Sequence, residues 1–333
     1  MAVVLLASGV QKGGGEPPHS ESLEWLALAA HCARPANVGD IHFRAMRKIC
    51  WVFLALLATA CAHQQAVQHL AVNGGDLEYR VVGRGEAVLL IHGSVVADAF
   101  KPMLNERALS GYQLISYHRR GFAGSSRARA PFSIPNQAAD ALALLDHLGV
   151  SRAHLVGHSY GGNIAVQLAA DYPDRAASLV LLEPAIFPMT PALQAMFGDI
   201  MSAVELHTKG NDRAAIDRFM STVVGSSAID QYLGEGAFDL AVSDAPTFFD
   251  VEMPAMQKWQ FTIDNASAVR IPTLLIVGAE SRQPFKESVA ALHQQIAGSE
   301  QVTIPRSAHS LEIAYPRPVA EAIAGFLMRH PIR

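Results

Sequence analysis

Short apolar runs recur along the chain from residue 67 onward. The first two, at 67–72 and 77–82, flank the turn Asn73-Gly74-Gly75 and predict an antiparallel hairpin at a sheet edge. The later runs lack polar alternation, which is typical of parallel strands covered on both faces. They span residues 87–91, 113–117, 154–157, 178–182, 273–277 and 301–304. The pattern therefore predicts a mostly parallel sheet.

Apolar residues with helical spacing fill the gaps between these runs. Residues 136–148 and 163–171 show the spacing, and Pro173 follows the second stretch. Alternation of strand and helix predicts a doubly wound α/β fold with helices on both faces of the sheet. At about 185–268 the alternation stops, and Met, Phe and Ala recur with helical spacing. We expect this segment to be a helical cap inserted between two strands.

Composition adds limits on partners and chemistry. The chain has 333 residues, half of them hydrophobic, which suits one large core with a smaller insertion. A formal net charge of -4 leaves no basic stripe to neutralise a phosphate backbone, so we expect no nucleic-acid partner. No H-E-x-x-H motif, paired C-x-x-C motif or glycine-rich nucleotide fingerprint occurs. We therefore expect no metal and no cofactor.

A basic head, an apolar run and a cysteine follow one another near the N-terminus. Met46-Arg47-Lys48 precedes the apolar residues 49–60, and Cys61 comes next, which is the layout of a signal peptide. The run is too short to cross about 30 Å of hydrocarbon as a helix. Residues 58–61 resemble a bacterial lipobox, in which the cysteine is lipidated after cleavage, and residues 60–62 also fit ordinary signal peptidase. The competing interpretation is a buried helix of the fold.

These features predict three segments. We expect residues 1–45 to be a non-native or disordered extension, because they contain glycine and proline clusters and no sustained periodicity. Residues 46–62 are the predicted signal peptide or lipoprotein signal, and residues 63–333 the predicted mature domain. The protein is then periplasmic or attached to a bacterial membrane through a lipidated Cys61, or alternatively secreted. All three cysteines lie at or before position 61, so the mature domain must fold without a disulfide.

A G-x-S-x-G sequence is the strongest chemical signal. Gly157-His158-Ser159-Tyr160-Gly161 directly follows a predicted strand and directly precedes a predicted helix. A tight turn between such elements lifts the serine hydroxyl clear of the sheet, and a Cβ at either glycine should clash there. The alternative is an ordinary glycine-rich turn. The context favours Ser159 as a nucleophile.

A nucleophilic serine needs a general base and an oxyanion site. His309 lies in the loop after the last predicted strand, where the chain order Ser, acid, His locates the base. We expect His154 and His158 to pack or form local hydrogen bonds instead. The other predicted groups follow the first buried strand and the nucleophile: backbone N–H groups of Ser94 or Val95, together with that of Tyr160, are expected to stabilise an oxyanion.

Taken together, these motifs resemble the α/β-hydrolase superfamily. The resemblance is carried by His92-Gly93, by residues 119–125 (RRGFAGS), by the serine turn and by the His309 loop, and it covers residues 67–333. It implies a serine hydrolase. The family often has aspartate at the position of His118, and we assign that histidine no catalytic role.

The acid that orients the histidine is open between two glutamates. The family usually has aspartate three residues after the glycine that closes the next-to-last strand, and here Gly278 plus three is Ser281. Glu280 lies one position earlier. Glu183, at the end of the strand at 178–182, resembles the acid position of the haloalkane dehalogenase branch. We favour Glu280, because its strand lies nearest the usual acid loop.

A serine nucleophile predicts an acyl-enzyme, so esters, thioesters or lactones are the expected substrates. Apolar cap residues favour a small hydrophobic group over a charged one, although part of this set must pack within the cap: Phe187, Met189, Met196, Phe197, Phe219, Met220, Phe248, Phe249, Met253, Met256 and Trp259. The alternatives are a cofactor-free perhydrolase, a C–C bond hydrolase and a non-catalytic binding protein of the same fold. The sequence indicates no oligomeric state.

Overall fold

The computed structural model describes residues 67–226 and 228–332. The predicted extension at 1–45 and the predicted signal at 46–62, including Cys61, lie outside these residues. Among the helices that are described, none combines the length and the apolarity needed to span a membrane.

Eight strands form one sheet in the order β1-β2-β4-β3-β5-β6-β7-β8. The pairs β1–β2 and β2–β4 are antiparallel, and every other pair is parallel. The predicted hairpin and its position at the edge are thereby confirmed. The strands are β1 Gln68–Val72, β2 Gly75–Gly83, β3 Glu86–Ile91, β4 Tyr112–Tyr117, β5 Ala153–His158, β6 Ala176–Leu182, β7 Thr273–Gly278 and β8 Glu300–Ile304.

Ten α-helices accompany the sheet in the described part of the chain. They are α1 Ile134–His147, α2 Tyr160–Asp171, α3 Pro191–Thr208, α4 Asp212–Val223, α5 Asp230–Leu233, α6 Ala237–Ser243, α7 Met253–Lys258, α8 Gln283–Gln295, α9 Leu311–Ala314 and α10 Pro316–Arg329. A π-helix, Thr247–Glu252, precedes α7. Helix α1 begins at a capping box in which Ser133 and Asn136 satisfy each other's backbone N–H groups.

Both faces of the sheet are covered, which explains why the central strands read as continuous apolar runs. Leu89, Leu155 and Leu275 belong to the core cluster that contains α1, α2 and α8. Their strand neighbours Val88 and Val156 point to the opposite face and pack in the cluster that contains α10. This is the predicted doubly wound α/β architecture.

Helices α3 to α7 follow β6 and precede β7, where the insertion was predicted. No strand occurs between Ala185 and Ala268 among the residues that the structure describes. These helices bury a third apolar cluster of their own, which includes Met196, Ile216, Met220 and Phe248. The cluster also takes in Val95 and Phe285 from the sheet domain. The cap is thus packed onto the carboxyl ends of the strands, where the loops carrying the candidate site lie.

Candidate active site

Ser159 occupies the turn between β5 and α2. Its backbone has φ 50° and ψ -120°, a conformation that a residue with a side chain adopts only under strain. The backbone is held there because its N–H donates to Leu182 O at 2.9 Å and its carbonyl accepts from Gly162 N at 2.9 Å. The side chain remains partly exposed and lines a cavity.

The flanking glycines permit this turn. A Cβ on Gly157 would overlap the backbone of Gly161, and a Cβ on Gly161 would overlap the carbonyl oxygen of Ile91. The predicted clash at both positions is therefore confirmed. Close approach of helix, strand and turn leaves no space for a side chain, so the sequence G-x-S-x-G is dictated here by packing.

His309 lies across the cavity edge from Ser159, 150 residues later in the chain. Its Nε2 is 3.1 Å from Ser159 Oγ, and its Nδ1 is 2.7 Å from Glu183 Oε2. With the imidazole proton on Nδ1, that nitrogen donates to Glu183 and Nε2 accepts from the serine hydroxyl. The ring is 4% exposed and stacks on Phe285 with centroids 3.8 Å apart. Packing and two hydrogen bonds thus fix its orientation.

Glu183 is fully buried at the end of β6, with φ 44°. Its second oxygen, Oε1, accepts from the backbone N–H of Gly278 at 2.7 Å, and its own N–H donates to Ile276 O at 3.0 Å. The adjacent strand β7 therefore holds both the backbone and the carboxylate of Glu183. The carboxylate cannot rotate without losing one of its two partners.

The surroundings of Glu183 and His309 favour an ionised carboxylate and a neutral imidazole. Burial opposes ionisation of Glu183, but the hydrogen bonds from His309 and Gly278 N–H, together with the adjacent Ser281 hydroxyl, outweigh it and hold the pKa of the carboxyl below its ordinary value. Burial lowers the pKa of His309, partly countered by its hydrogen bond to Glu183. An ionised carboxylate beside a neutral imidazole is the state in which histidine can accept a proton from serine.

The structure corrects the preference for Glu280. Glu280 is exposed, and the carboxylate that is hydrogen-bonded to His309 Nδ1 is that of Glu183. The position that usually carries the acid is filled by Ser281, which is buried next to the Glu183 carboxylate. The loop after β7 therefore leaves Glu280 at the surface, and the end of the neighbouring strand β6 supplies the carboxylate.

The three predicted oxyanion residues meet at the same cavity. Ser94, Val95 and Tyr160 all line it together with Ser159 and His309. Val95 has φ 72°, a strained conformation for a β-branched residue, and Tyr160 is the first residue of α2. The N-terminal N–H groups of a helix have no partner within the helix, so Tyr160 N–H is free to bind an anion in principle. The role of these amides stays a prediction.

A cavity lies between the strand ends and the cap, with Ser159 and His309 in its lining. Eight of the eleven predicted cap residues line it: Phe187, Met196, Phe197, Phe219, Met220, Phe248, Met253 and Met256. Met189 is 75% exposed, and Phe249 stacks on His207. Trp259 stacks on Phe261 and donates to Gln167. The cavity wall above Ser159 is thus almost entirely apolar.

Other histidines have structural partners. His154 Nδ1 is 2.8 Å from Ser178 Oγ, and His158 Nε2 is 2.8 Å from His309 O, in agreement with the packing role expected of both. His118, at the usual aspartate position, lies within 3.2 Å of both Glu78 and Asp98. Within residues 67–226 and 228–332 no three His, Cys, Asp or Glu side chains are grouped so as to hold a metal ion.

A buried ion pair next to the site was not anticipated from the sequence. Arg119, in the arginine-glycine motif, and Glu252, in the cap, are each 1% exposed and pair with each other. The available signal was the placement of Asp250 and Glu252 among the apolar residues Phe248, Phe249, Val251 and Met253. A charge in an otherwise apolar helical stretch is rarely buried without a partner.

The family model for the alpha/beta hydrolase fold matches residues 86–311, more than half of the chain. The chain belongs to this family. The match includes Ser159, Glu183 and His309. The matched range also contains the cap.

Comparisons with individual proteins of the family agree with this assignment. The "Putative carbamate hydrolase RutD" of Variovorax paradoxus (strain S110) is 43% identical over 110 residues, which are 32% of this chain and 41% of that protein. The chain thus matches less than half the length of this relative. The "Putative non-heme chloroperoxidase" of Synechocystis sp. is 26% identical over 272 residues, 76% of this chain and 95% of that protein.

Among solved structures, the enol-lactonase from Burkholderia xenovorans LB400 has a TM-score of 0.68 at 22% identity. The alignment covers 78% of this chain and all of that one. At this identity the likeness establishes the shared fold. The family match identifies the chain as a member of a family of hydrolase enzymes.

Proposed function

We propose that this hydrolase cleaves a carboxylic ester, thioester or lactone with a small hydrophobic group through a Ser159-His309-Glu183 triad and an acyl-enzyme. The observation that carries the proposal is the continuous hydrogen-bonded line from Ser159 Oγ through His309 to Glu183, at the edge of an apolar cavity. A hydroxyl paired with an oriented neutral imidazole is the arrangement that activates serine for acyl transfer.

The reaction follows from the geometry. Ser159 Oγ attacks the carbonyl carbon while His309 Nε2 takes its proton, and Glu183 stabilises the imidazolium. The developing oxyanion binds the amides of Tyr160 and of Ser94 or Val95, each worth about 3 kcal/mol. Collapse breaks the ester bond, and the leaving alcohol or thiol takes the proton from His309. Water then attacks the acyl-enzyme by the reverse sequence of proton transfers and releases the acid.

A second candidate is a cofactor-free perhydrolase. The observation in its favour is the chloroperoxidase relative, whose match extends over 95% of that protein. In such a reaction hydrogen peroxide replaces water as the nucleophile that resolves the acyl-enzyme, so the same residues serve both outcomes. C–C bond cleavage and a non-catalytic binding role are further alternatives, and the carbamate hydrolase relative adds carbamates to the substrates that need testing.

A chain-length series of p-nitrophenyl esters tests the proposal. We expect kcat/KM to rise from acetate to medium-chain esters, because each methylene buried in the cavity adds about 0.8 kcal/mol of binding. Ser159→Ala should abolish turnover. A panel with ethyl carbamate, and with hydrogen peroxide plus a short carboxylic acid, separates the alternatives. Folded wild-type protein that hydrolyses no ester and does not react with a fluorophosphonate would support a binding role instead.

We also propose that the protein is exported and that residues 46–62 direct its export, with Cys61 as the lipidated residue or as part of an ordinary cleavage site. The motivation is the basic, apolar and small-residue pattern of that segment. Expression of the full chain in a bacterial host with a labelled fatty acid, beside Cys61→Ser, gives the test. Label on the wild type alone supports lipidation, processing without label supports simple cleavage, and an unprocessed cytoplasmic protein contradicts export.

A further inference from the structure

Arg119 holds the loop that carries one of the predicted oxyanion amides. Its Nε donates to His92 O at 3.0 Å, and one of its terminal nitrogens donates to Gly93 O at 2.8 Å. These two residues immediately precede Ser94. Because successive carbonyls are fixed by one rigid guanidinium, the direction of the Ser94 N–H depends on where Arg119 lies.

The same guanidinium also contacts the residue that carries the other predicted amide. Its central carbon lies 5.1 Å from the centroid of the Tyr160 ring. Its other terminal nitrogen donates to Gln137 Oε1 at 2.6 Å, and Gln137 Nε2 donates to the Tyr160 hydroxyl at 2.9 Å. Both sides of the proposed oxyanion hole are therefore connected to one buried cation.

Glu252 links this cation to the cap. Its carboxylate pairs with Arg119 through one oxygen and accepts from Ser94 Oγ at 2.6 Å through the other. Burial raises the pKa of Glu252, and the Arg119 charge opposes that rise. Neither charge is stable in this environment without the other, so displacement of Glu252 must disturb Arg119.

We propose that Arg119 and Glu252 are positioning residues that align the oxyanion-hole amides of Ser94 and Tyr160 and couple this alignment to the seating of the cap. The proposal rests on the proposed serine hydrolase chemistry. It assigns to a cap residue a role in the rate of bond formation at Ser159, in addition to the role of the cap in enclosing substrate.

The competing explanation is that Glu252 merely fastens the cap. A second contact between the same two parts of the chain separates the explanations. Asp244 of the cap accepts from Ala123 N–H at 2.8 Å, within residues 119–125, and from Arg127 at 2.7 Å, two residues beyond them. The contacts of Asp244 do not include His92, Gly93 or Ser94. Asp244→Asn therefore loosens the cap without disturbing the oxyanion loop.

The experiment measures the rate at which a fluorophosphonate modifies Ser159, because this reaction uses the oxyanion hole and requires no knowledge of the substrate. The variants are Glu252→Gln, Ser94→Ala and the control Asp244→Asn, with melting temperatures for all. In Glu252→Gln the amide oxygen can still accept from Arg119 and the NH₂ group can donate to Ser94 Oγ, so the variant keeps the shape of the side chain and removes the negative charge beside Arg119. Ser94→Ala keeps the backbone amide and removes only the hydroxyl contact, so it remains informative if Glu252→Gln does not fold.

We expect Glu252→Gln to react about tenfold more slowly, a fraction of the 10²–10³-fold loss that follows removal of a whole donor. Ser94→Ala should show a smaller loss in the same direction, and Asp244→Asn a change within about twofold. With an ester substrate, the loss in Glu252→Gln should appear in kcat and leave KM nearly unchanged.

Two results would overturn the proposal. The first is an equal loss of reaction rate in Glu252→Gln and Asp244→Asn that parallels the fall in their melting temperatures. The second is an unchanged reaction rate in both Glu252→Gln and Ser94→Ala. A wild type that reacts with the fluorophosphonate and hydrolyses no ester would contradict the proposed substrate class alone, and the comparison of variants would still decide the positioning role. A folded wild type that does not react at all would overturn both proposals.

Discussion

Replacement of Glu183 by glutamine is predicted to lower kcat about 10⁴-fold by moving the His309 proton from Nδ1 to Nε2. Gly278 N–H needs an acceptor, and Glu183 Oε1 supplies it at 2.7 Å. The glutamine oxygen must take that position. Its NH₂ group then occupies the present position of Oε2, 2.7 Å from His309 Nδ1. An NH₂ group cannot accept, so Nδ1 must lose its proton and Nε2 must carry it.

The magnitude follows from the tautomer. A histidine protonated on Nε2 cannot accept the proton of Ser159, and loss of the correct tautomer costs about 10⁴-fold in kcat in serine hydrolases of this kind. At 1.36 kcal/mol for each factor of ten, this is about 5 kcal/mol of transition-state stabilisation. The stability of the fold should fall far less, because the amide keeps the Gly278 bond and the shape of the buried side chain.

The assay is kcat/KM for the best p-nitrophenyl ester, with Glu280→Gln as the matched control. We expect Glu280→Gln to behave as the wild type, because that side chain is exposed. Adding Ser281→Asp to Glu183→Gln should recover about tenfold or more of the lost activity, since position 281 adjoins the side chain of residue 183 and is the position at which the family usually has the acid. A Glu183→Gln variant that keeps more than about a tenth of wild-type activity would refute the tautomer argument.

Three further predictions concern the base, the turn and the cavity. Burial lowers the pKa of His309, and only the neutral ring accepts a proton, so kcat/KM should fall as the pH drops, with the midpoint of that fall below pH 6.5. A midpoint above pH 6.5 would contradict this prediction. Gly157→Ala should lower the free energy of unfolding by about 3 kcal/mol or more, whereas Gly198→Ala, with open space at its Cβ inside α3, should raise it by about 0.5 kcal/mol. Denaturant titration compares the two, and equal effects would be inconsistent with the clash. Phe197→Ala should shift the preferred ester toward longer chains, because this half-exposed ring lines the cavity; an unchanged preference would argue against an acyl group bound there.

Most of the fold could be predicted because strands that are buried on both faces have a recognisable sequence pattern. The strands with unbroken apolar runs, such as 273–277, are those covered by helices on each side. The serine turn was equally predictable, since its steric requirement demands glycine at two fixed positions. Both signals are local, and a single chain segment contains them completely.

The acid could not be chosen from the sequence because the choice depends on which of two neighbouring strand ends faces the histidine. Glu183 ends β6 and Glu280 follows β7, and the two strands pair side by side. Their carboxyl ends therefore reach the same edge of the sheet. The fold distinguishes them, because Glu183 is buried with its carboxylate bonded to Gly278 N–H and His309, whereas Glu280 is exposed.

The Arg119–Glu252 pair was missed for a related reason. The two residues are 133 positions apart, and they meet only because the cap folds back over the arginine-glycine loop. Residue spacing predicts contacts within one helix or strand, but it does not predict contacts between segments that are distant in the sequence. The sequence offers two carboxylates in this stretch, Asp250 and Glu252, and only the fold distinguishes the exposed Asp250 from the buried Glu252.

Peptide mapping of a trapped acyl-enzyme tests the central claim most directly. The protein is mixed with a p-nitrophenyl ester, stopped in acid during the initial burst and digested. We predict that the acyl group is found on the peptide that contains Ser159, that Ser159→Ala forms no adduct, and that Glu183→Gln forms it far more slowly. An acyl group on a different residue, with Ser159→Ala still active, would contradict the account.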